Sequence, residues 1–296
     1  MSNIHFNDFL KNRRKKFLRG TLYFISILLF IFLLQKIFES ESPFIAKVSI
    51  NSIILNDPDL LKKIDDLKNN RNLKGVLIDI NSPGGTVVSS QELFSRFKDL
   101  GNKVPVVASM KEVAASGGYM VALAADKIFC YEGTITGSIG VIMQSVNIES
   151  MLNTLGIEPV IFKSGPLKAS PNPLESLDSN QEKVINNIIN NIHNQFIELV
   201  KENRNILVKN LNLISDGRIF TGLEARNINL IDEIGSERDA IDWIKNETKT
   251  EDSIKIINIS EDSTVLRLLN FLPFKDFIVK NISFSNGLYA IWAPSL

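Results

Sequence analysis

Apolar positions along this chain fall into short runs and spaced stripes, and the two patterns alternate. Ile45 to Leu55, IAKVSINSIIL, predicts a first strand. Val76 to Ile80, within LKGVLIDINSPGG, is near-continuously apolar, as a parallel strand buried on both faces would be. Val104 to Met110 and the shorter Lys127 to Cys130 predict two more strands, Val141-Ile142 a further one, and Gly156 to Phe162 repeats the pattern. Between these runs the spacing turns helical. Asp57 to Asn69 is polar with helical periodicity, Val88 to Asp99 repeats Leu93, Phe94 and Phe97, and a helix is predicted over Tyr119 to Ala125. A long helix is predicted from Gln181 to Arg204, with Val184, Ile185, Ile188, Ile192, Phe196 and Val200 as its apolar stripe. Gly222 to Asn227 and Asp239 to Asn246 predict short helices, and Ile254 to Ile259 a last strand. Strands alternating with helices point to an α/β layer structure.

The two ends depart from this pattern. Residues 11–20, KNRRKKFLRG, are strongly basic, and the apolar run TLYFISILLFIFLLQ follows from Thr21 to Gln35, extended past Lys36 by Ile37 and Phe38. The uncharged core is short against the ~20 residues needed to cross hydrocarbon. Lys36 can snorkel, however, and Phe17 and Leu18 lengthen the other end. No A-x-A-like cleavage site follows, so the expectation is an uncleaved transmembrane anchor over 21–38. Residues 1–20 then stay in the cytoplasm, and the rest lies on the extracytoplasmic side of a bacterial inner membrane. The C-terminal stretch from Val265, VLRLLNFLPFKDFIVKNISFSNGLYAIWAPSL, is unusually apolar. Pro273, Lys275 and Asp276 argue against a second span, leaving subunit or membrane contact as its expected role beside core packing.

Composition narrows the chemistry. The chain has 296 residues and balances 33 basic against 33 acidic ones, which gives no electrostatic case for a nucleic-acid partner. Its one cysteine, Cys130, cannot form an intrachain disulfide and reads as a small buried hydrophobe. With 2 histidines, a His-rich metal site is nearly excluded and a Ser-His-Asp triad weakened. His5 precedes the apolar run, and His193 falls in a polar helix, where a surface or packing role is expected.

The candidate chemistry centres on KEVAASGGYM. Ser116 stands at a strand-to-helix join just before Gly117 and Gly118, the logic of a nucleophile elbow without the G-x-S-x-G pattern. With histidine effectively absent, a neutral lysine is the sensible base, and desolvation is what makes a lysine neutral near pH 7. Lys168, Lys163 and Lys111 are the candidates, and local sequence does not rank them. The Gly117 N–H and the close backbone approach permitted at Gly84 and Gly85 suit an oxyanion hole. The plain alternatives are a strand-ending turn at Ser82-Pro83-Gly84-Gly85 and a helix start with Ser116 as its N-cap.

Taken in order, NSPGG, AASGGYMVALAADKI, TGSIGVI, FKSGPLKASPNP, DGRIFTGLEA and LIDEIG resemble the SppA-type signal peptide peptidases of peptidase family S49, over about residues 45–245. The resemblance implies a Clp/crotonase-like α/β spiral of ββα units, preceded by one N-terminal transmembrane helix. It implies a short-form protein with one catalytic domain over 45–245 and an extension over 246–296. Ser116 would be the nucleophile, and Lys168, at the end of the K-S-G-x-x-K segment, the general base and acid. Gly117, Gly84 and Gly85 would form the oxyanion hole, with no metal or cofactor. Family members often carry an acidic residue after that lysine, where this chain has Ala169. The resemblance further implies a homo-oligomeric ring in which neighbouring subunits complete each Ser-Lys site. The implied substrates are hydrophobic signal peptides left in the membrane after release from their secretory proteins. Two other readings are a catalytically silent scaffold that binds peptides or partners and a crotonase-like acyl-CoA enzyme.

Overall fold

The structure, a computed structural model, describes residues 21, 23–28, 30, 42–259 and 289–291. The chain divides into two units, residues 1–42 and 43–296. In the first, residues 21, 23–28 and 30 are helical (α1), and Tyr23, Phe24, Ile25, Ile27, Leu28 and Phe30 are exposed. Among the described residues no helix is long and apolar enough to cross a membrane. The basic segment 1–20 and residues 22, 29 and 31–38 of the expected anchor lie outside the described residues, as does the C-terminal stretch apart from 289–291.

The second unit is built on a mixed α/β sheet. Its strands are β1 (Phe44–Asn51), β2 (Leu73–Ser82), β4 (Val106–Ala115), β5 (Lys127–Cys130), β6 (Ile135–Gly137), β7 (Ile219–Thr221), β8 (Glu233–Ile234) and β9 (Lys255–Asn258). The order is β7-β6-β4-β2-β1-β9, with β5 pairing to β4 and β8 to β5. All pairs are parallel except β6–β7. β4 is long enough to carry two neighbours in succession on one edge. Val107–Met110 pair with β5, and Val113–Ala115 pair with β6. A further strand, β3 (Gly84–Thr86), pairs with β10 (Tyr289–Ile291).

Strand alternation explains the layers. Ala46, Val48 and Ile50 of β1, Val76, Ile78 and Ile80 of β2, and Val106, Ala108 and Met110 of β4 point to one face. There they form the main core with residues of the helices α2 (Pro58–Leu67), α3 (Val87–Gly101), α4 (Gly117–Ala122) and α6 (Ser179–Asn203). The intervening Ile45, Leu77 and Val107 join Phe129 against Ala240 and Ile244 of α9 (Glu237–Thr248) on the other face. Val76 to Ile80 is buried on both faces, as its apolar run requires. Helix starts follow from local chemistry: Asp57 accepts from the Leu60 N–H at α2, and reciprocal capping boxes start α6 (Asp178 with Gln181), α8 (Gly222–Asn227, Thr221 with Glu224) and α9 (Ser236 with Asp239). β9 pairs with β1, so the sheet continues past the expected boundary at 245.

Two expected strands do not form. Ile142 makes only an isolated bridge, and Gly156 to Phe162 has no strand. The pairing positions beside β4 are already filled by β5 and β6, and β7 closes the outer edge of β6. The chain therefore leaves the sheet after Ser138, which has φ +49°. From Gly140 to Asn180 no residue is buried, the short helix α5 (Glu149–Thr154) included. The turn expected at Gly84-Gly85 is itself the strand β3.

Candidate active site

Ser116 occupies the single residue between β4 and α4, with φ +53° and ψ −116°. A side chain with positive φ at this ψ is strained, and only surrounding structure keeps it there. Two backbone bonds do so: the Ser116 N–H donates to the Gly137 carbonyl at 2.8 Å, and the Met120 N–H donates to the Ser116 carbonyl at 2.9 Å. β6 and the first turn of α4 thus grip the residue from both sides. Ser116 holds the N-cap position of α4, but its side chain makes no capping hydrogen bond. The residue is 1% exposed, and its Oγ is buried without a hydrogen-bond partner. Buried hydroxyls are normally satisfied, so an unpartnered one in a strained, clamped turn needs an explanation beyond packing.

The glycine turn lies beside it. Ser82 of β2 pairs with Ala114 of β4, two residues before Ser116. A Cβ on Gly118 would stand 2.7 Å from the Ser82 carbonyl oxygen, so only glycine lets α4 seat this closely against the end of β2. Gly117 opens α4, where a backbone N–H has no partner within the helix. Gly84 (φ +107°) donates its N–H to Ser82 Oγ at 3.1 Å. Its carbonyl accepts from the Ile54 N–H at 2.8 Å, and the Thr86 N–H donates to Ile54 O at 2.9 Å. The main-chain groups of Gly85, between them, face the opposite edge. The buried hydroxyl of Ser82 was not singled out by sequence. Its signal was the serine in the NSPGG motif itself, which engages one of the two candidate glycine donors.

The three candidate lysines separate by their partners. Lys111 contacts Asp79 at 3.2 Å and forms an ion pair with Glu237. Burial alone would lower its pKa, but the hydrogen bond to Glu237 and the charges of Asp79 and Glu237 outweigh that and hold the ammonium above its ordinary value. Lys163 is paired with Glu175. Lys168 is exposed, and its ammonium has no ion-pair or hydrogen-bond partner among the described residues. Within one chain it does not reach Ser116, whose Oγ is unpartnered. Ala169, directly after it, has φ +62°.

The remaining polar candidates are structural. His193 is half-buried with Nε2 at 3.1 Å from the Ile139 carbonyl, a packing role. Cys130 is buried, and desolvation pushes its thiol up to about 11 against a smaller opposing hydrogen bond from Thr134. Among the described residues no His, Cys, Asp and Glu group is arranged to hold a metal ion. Tyr119, fully buried on α4, donates its hydroxyl to the Leu230 carbonyl at 2.8 Å. Nearby, Arg204 grips Asp232 through two bonds of 2.8 and 3.0 Å, and the same carboxylate accepts the Ile128 N–H at 2.8 Å. The Tyr119 bond ties α4, and the Arg204 bonds tie the end of α6, to the loop before β8, and neither was visible in the sequence.

In sequence, the chain is similar to known peptidases. The family model described as peptidase family S49 matches residues 98–251. A candidate protease of Synechocystis is 35% identical over 210 residues, which span 71% of this chain and 74% of that protein. A candidate SppA signal peptide peptidase of Enterococcus faecium is 33% identical over 236 residues, spanning 74% of this chain and 68% of that protein. Among solved structures, a 1510-N membrane-bound stomatin-specific protease in complex with a substrate peptide aligns with a TM-score of 0.47 at 16% identity, covering 80% of this chain and 99% of that one.

Proposed function

Since the chain belongs to peptidase family S49, we propose that it is a membrane-anchored serine endopeptidase that uses Ser116 and Lys168 to degrade hydrophobic signal peptides. The observation that carries the reading is Ser116: a serine held at positive φ, buried, with an unpartnered Oγ beside a glycine turn. A neutral Lys168 takes the proton from Ser116 Oγ as that oxygen attacks the peptide carbonyl. The N–H groups of Gly117 and Gly85 donate to the oxyanion, while Gly84 serves the turn by binding Ser82. Lys168 then protonates the leaving amine, and a water deprotonated by the same amine releases the acyl group.

The reading includes a second protomer. Lys168 stands on the exposed segment 140–180, and Lys163 and Lys111, the other candidates, are ion-paired with carboxylates. A ring in which one subunit's segment covers the next would bring a desolvated lysine to an unpartnered serine. The same reading takes the fold as a Clp/crotonase-like spiral and residues 21–38 as a transmembrane anchor. The catalytic unit then faces away from the cytoplasm across a bacterial inner membrane, where released signal peptides remain.

The test is cleavage of a hydrophobic signal peptide by the detergent-purified protein. S116A and K168A should each lose at least about a thousandfold in kcat, because the nucleophile and its base act as a unit. Mixing the two inactive variants should restore part of the activity if the dyad spans subunits. Wild-type cleavage in both variants would end the proposal. A fluorophosphonate that labels Ser116 in the wild type separates the peptidase from a silent scaffold.

A further inference from the structure

Asn81 lies on β2 three residues before Gly84, and Val113 lies on β4 three residues before Ser116. A hydrogen bond joins them: the Val113 N–H donates to Asn81 Oδ1 at 3.2 Å. That bond spans an irregularity in the sheet. Up to Met110, each β4 residue pairs with the β2 residue 30 positions earlier; at Ala114, which pairs with Ser82, the interval is 32. β4 therefore bulges by two residues within Lys111 to Val113, opposite Asn81 alone. The same stretch changes neighbours on its other edge, where pairing with β5 ends at Met110 and pairing with β6 starts at Val113. Thr134, buried in the loop between β5 and β6, fills that gap by donating its Oγ1 hydroxyl to the Lys111 carbonyl at 2.6 Å.

The cause of the bulge is a charge. Core-facing positions of β4 alternate as Val106, Ala108 and Met110, and an unbroken strand would put Glu112 next. A carboxylate cannot follow them inward, and Glu112 is exposed, while Ala114 returns to the core. The consequence for the site follows from the length of the bulge. Two residues of extended chain span about 7 Å, at about 3.3 Å each. In an unbroken register Ser116 would stand that far beyond the glycine turn, out of reach of an oxyanion shared with it. Beyond the bulge Ser116 is locked to β6 through the Gly137 carbonyl. The Asn81 bond, with the Ser82–Ala114 pair, sets where that locked piece stands against the strand carrying the glycines. Lys111 adds ion pairs to Asp79 and Glu237, but an ammonium on a flexible stem fixes a backbone less than a directional bond to the main chain does.

We infer that Asn81 is a positioning residue for the peptidase reaction: its side-chain carbonyl, with Thr134 on the opposite edge, holds the β4 bulge at the register that brings Ser116 to the glycine turn. The inference rests on the peptidase reading for the reaction being positioned, while the bulge and its two hydrogen bonds stand on the geometry. Asn81 touches no reacting atom. Its effect falls on the alignment of Ser116 Oγ with the oxyanion donors, which counts in the transition state more than in the bound peptide.

The full-length protein in detergent tests this with N81A, which removes the acceptor, and N81D, which keeps one. In N81A, kcat for a hydrophobic peptide should fall about a hundredfold with KM within about twofold, as for lost alignment rather than lost binding. Hydrogen exchange at the Val113 amide should accelerate by at least about tenfold. N81D should keep the Val113 protection and hold kcat within about threefold of wild type. Fluorophosphonate labelling of Ser116 should slow in N81A and recover in N81D, a split that lost stability alone does not produce in folded enzyme. Should N81A not fold, T134V against T134S carries the kcat and KM measurement, with the hydroxyl to Lys111 lost in one and kept in the other. Wild-type kcat in N81A, a kcat loss without faster Val113 exchange, or an N81D as slow as N81A would each overturn the inference. A wild type that neither cleaves peptide nor labels at Ser116 is a different failure: it sinks the peptidase reading, and the positioning role with it.

Discussion

Four charges meet on the polar part of the sheet's second face. Lys47 lies 2.9 Å from Asp79 and 2.6 Å from Glu237, while Lys111 lies 3.2 Å from Asp79 and is also paired with Glu237. The ring alternates in sign and balances, which is the arrangement that makes partial burial of four ions tolerable. Burial would raise the Glu237 pKa, but hydrogen bonds from Lys111 and Lys47 outweigh it and hold the carboxyl below its ordinary range. Burial would lower Lys47, and its bonds to Glu237 and Asp79 likewise raise it overall. Glu237 opens α9, so the ring also fixes where that helix meets β1, β2 and β4. E237Q should cost about 2 kcal/mol at pH 7, since it leaves two lysines sharing one carboxylate. The Glu237 contribution is complete above its unfolded pKa of about 4.3 and is lost as pH falls through the lower folded value. The gap between wild type and variant in urea unfolding should therefore be full at pH 7 and close in the acid range below about pH 4.3.

At the level of elements, the site is an outcome of close backbone approach. β4 overshoots its apolar core, Ser116 turns the chain at positive φ, and α4 can only seat where residue 118 has no side chain. The atom opposite Gly118 is a backbone carbonyl oxygen at the end of β2, so it cannot swing aside as a side chain would. G118A should destabilise the fold by about 1–3 kcal/mol, the usual range for overpacking. Because α4 must shift away from the glycine turn, kcat should fall more steeply than stability predicts. Thermal unfolding and peptide cleavage on the same preparation check both parts, and an unchanged kcat would show that the seating of α4 does not position Ser116.

For the whole molecule, the feature to account for is the segment 140–180. Phe162 is 94% exposed, and Val146, Leu155 and Val160 are exposed with it. Toward the start of α6 the predicted stripe is only partly covered, with Ile188 exposed, whereas Phe196 and Val200 farther along are buried. Apolar exposure on this scale marks a contact surface, and the proposed ring supplies one. F162D should lower the oligomeric state measured by sedimentation in detergent and reduce cleavage at least about tenfold. Stability of the second unit should change by no more than about 0.5 kcal/mol, as for any surface substitution. An intact oligomer with full activity would remove Phe162 from the contact.

Elements whose burial repeats at short range were legible in the chain alone. The doubly buried run Val76 to Ile80, the long helix through Phe196 and Val200, and the short helix Gly222–Asn227 all appear where periodicity set them. The residue pattern also marked Ser116 and the glycine turn, because few residue types tolerate a strand-to-helix join that tight. Which apolar runs became strands was set by long-range packing. Val141-Ile142 and Gly156 to Phe162 have strand-like composition, yet a strand needs an open edge, and edges are a property of the assembled sheet. Distance in sequence hid the rest. Lys111 is ion-paired with Glu237, Ser116 is held at positive φ by Gly137, and Gly85 is paired with Ala290. Each is a contact between residues that no local pattern connects, because charge pairing and strand pairing depend on proximity in space.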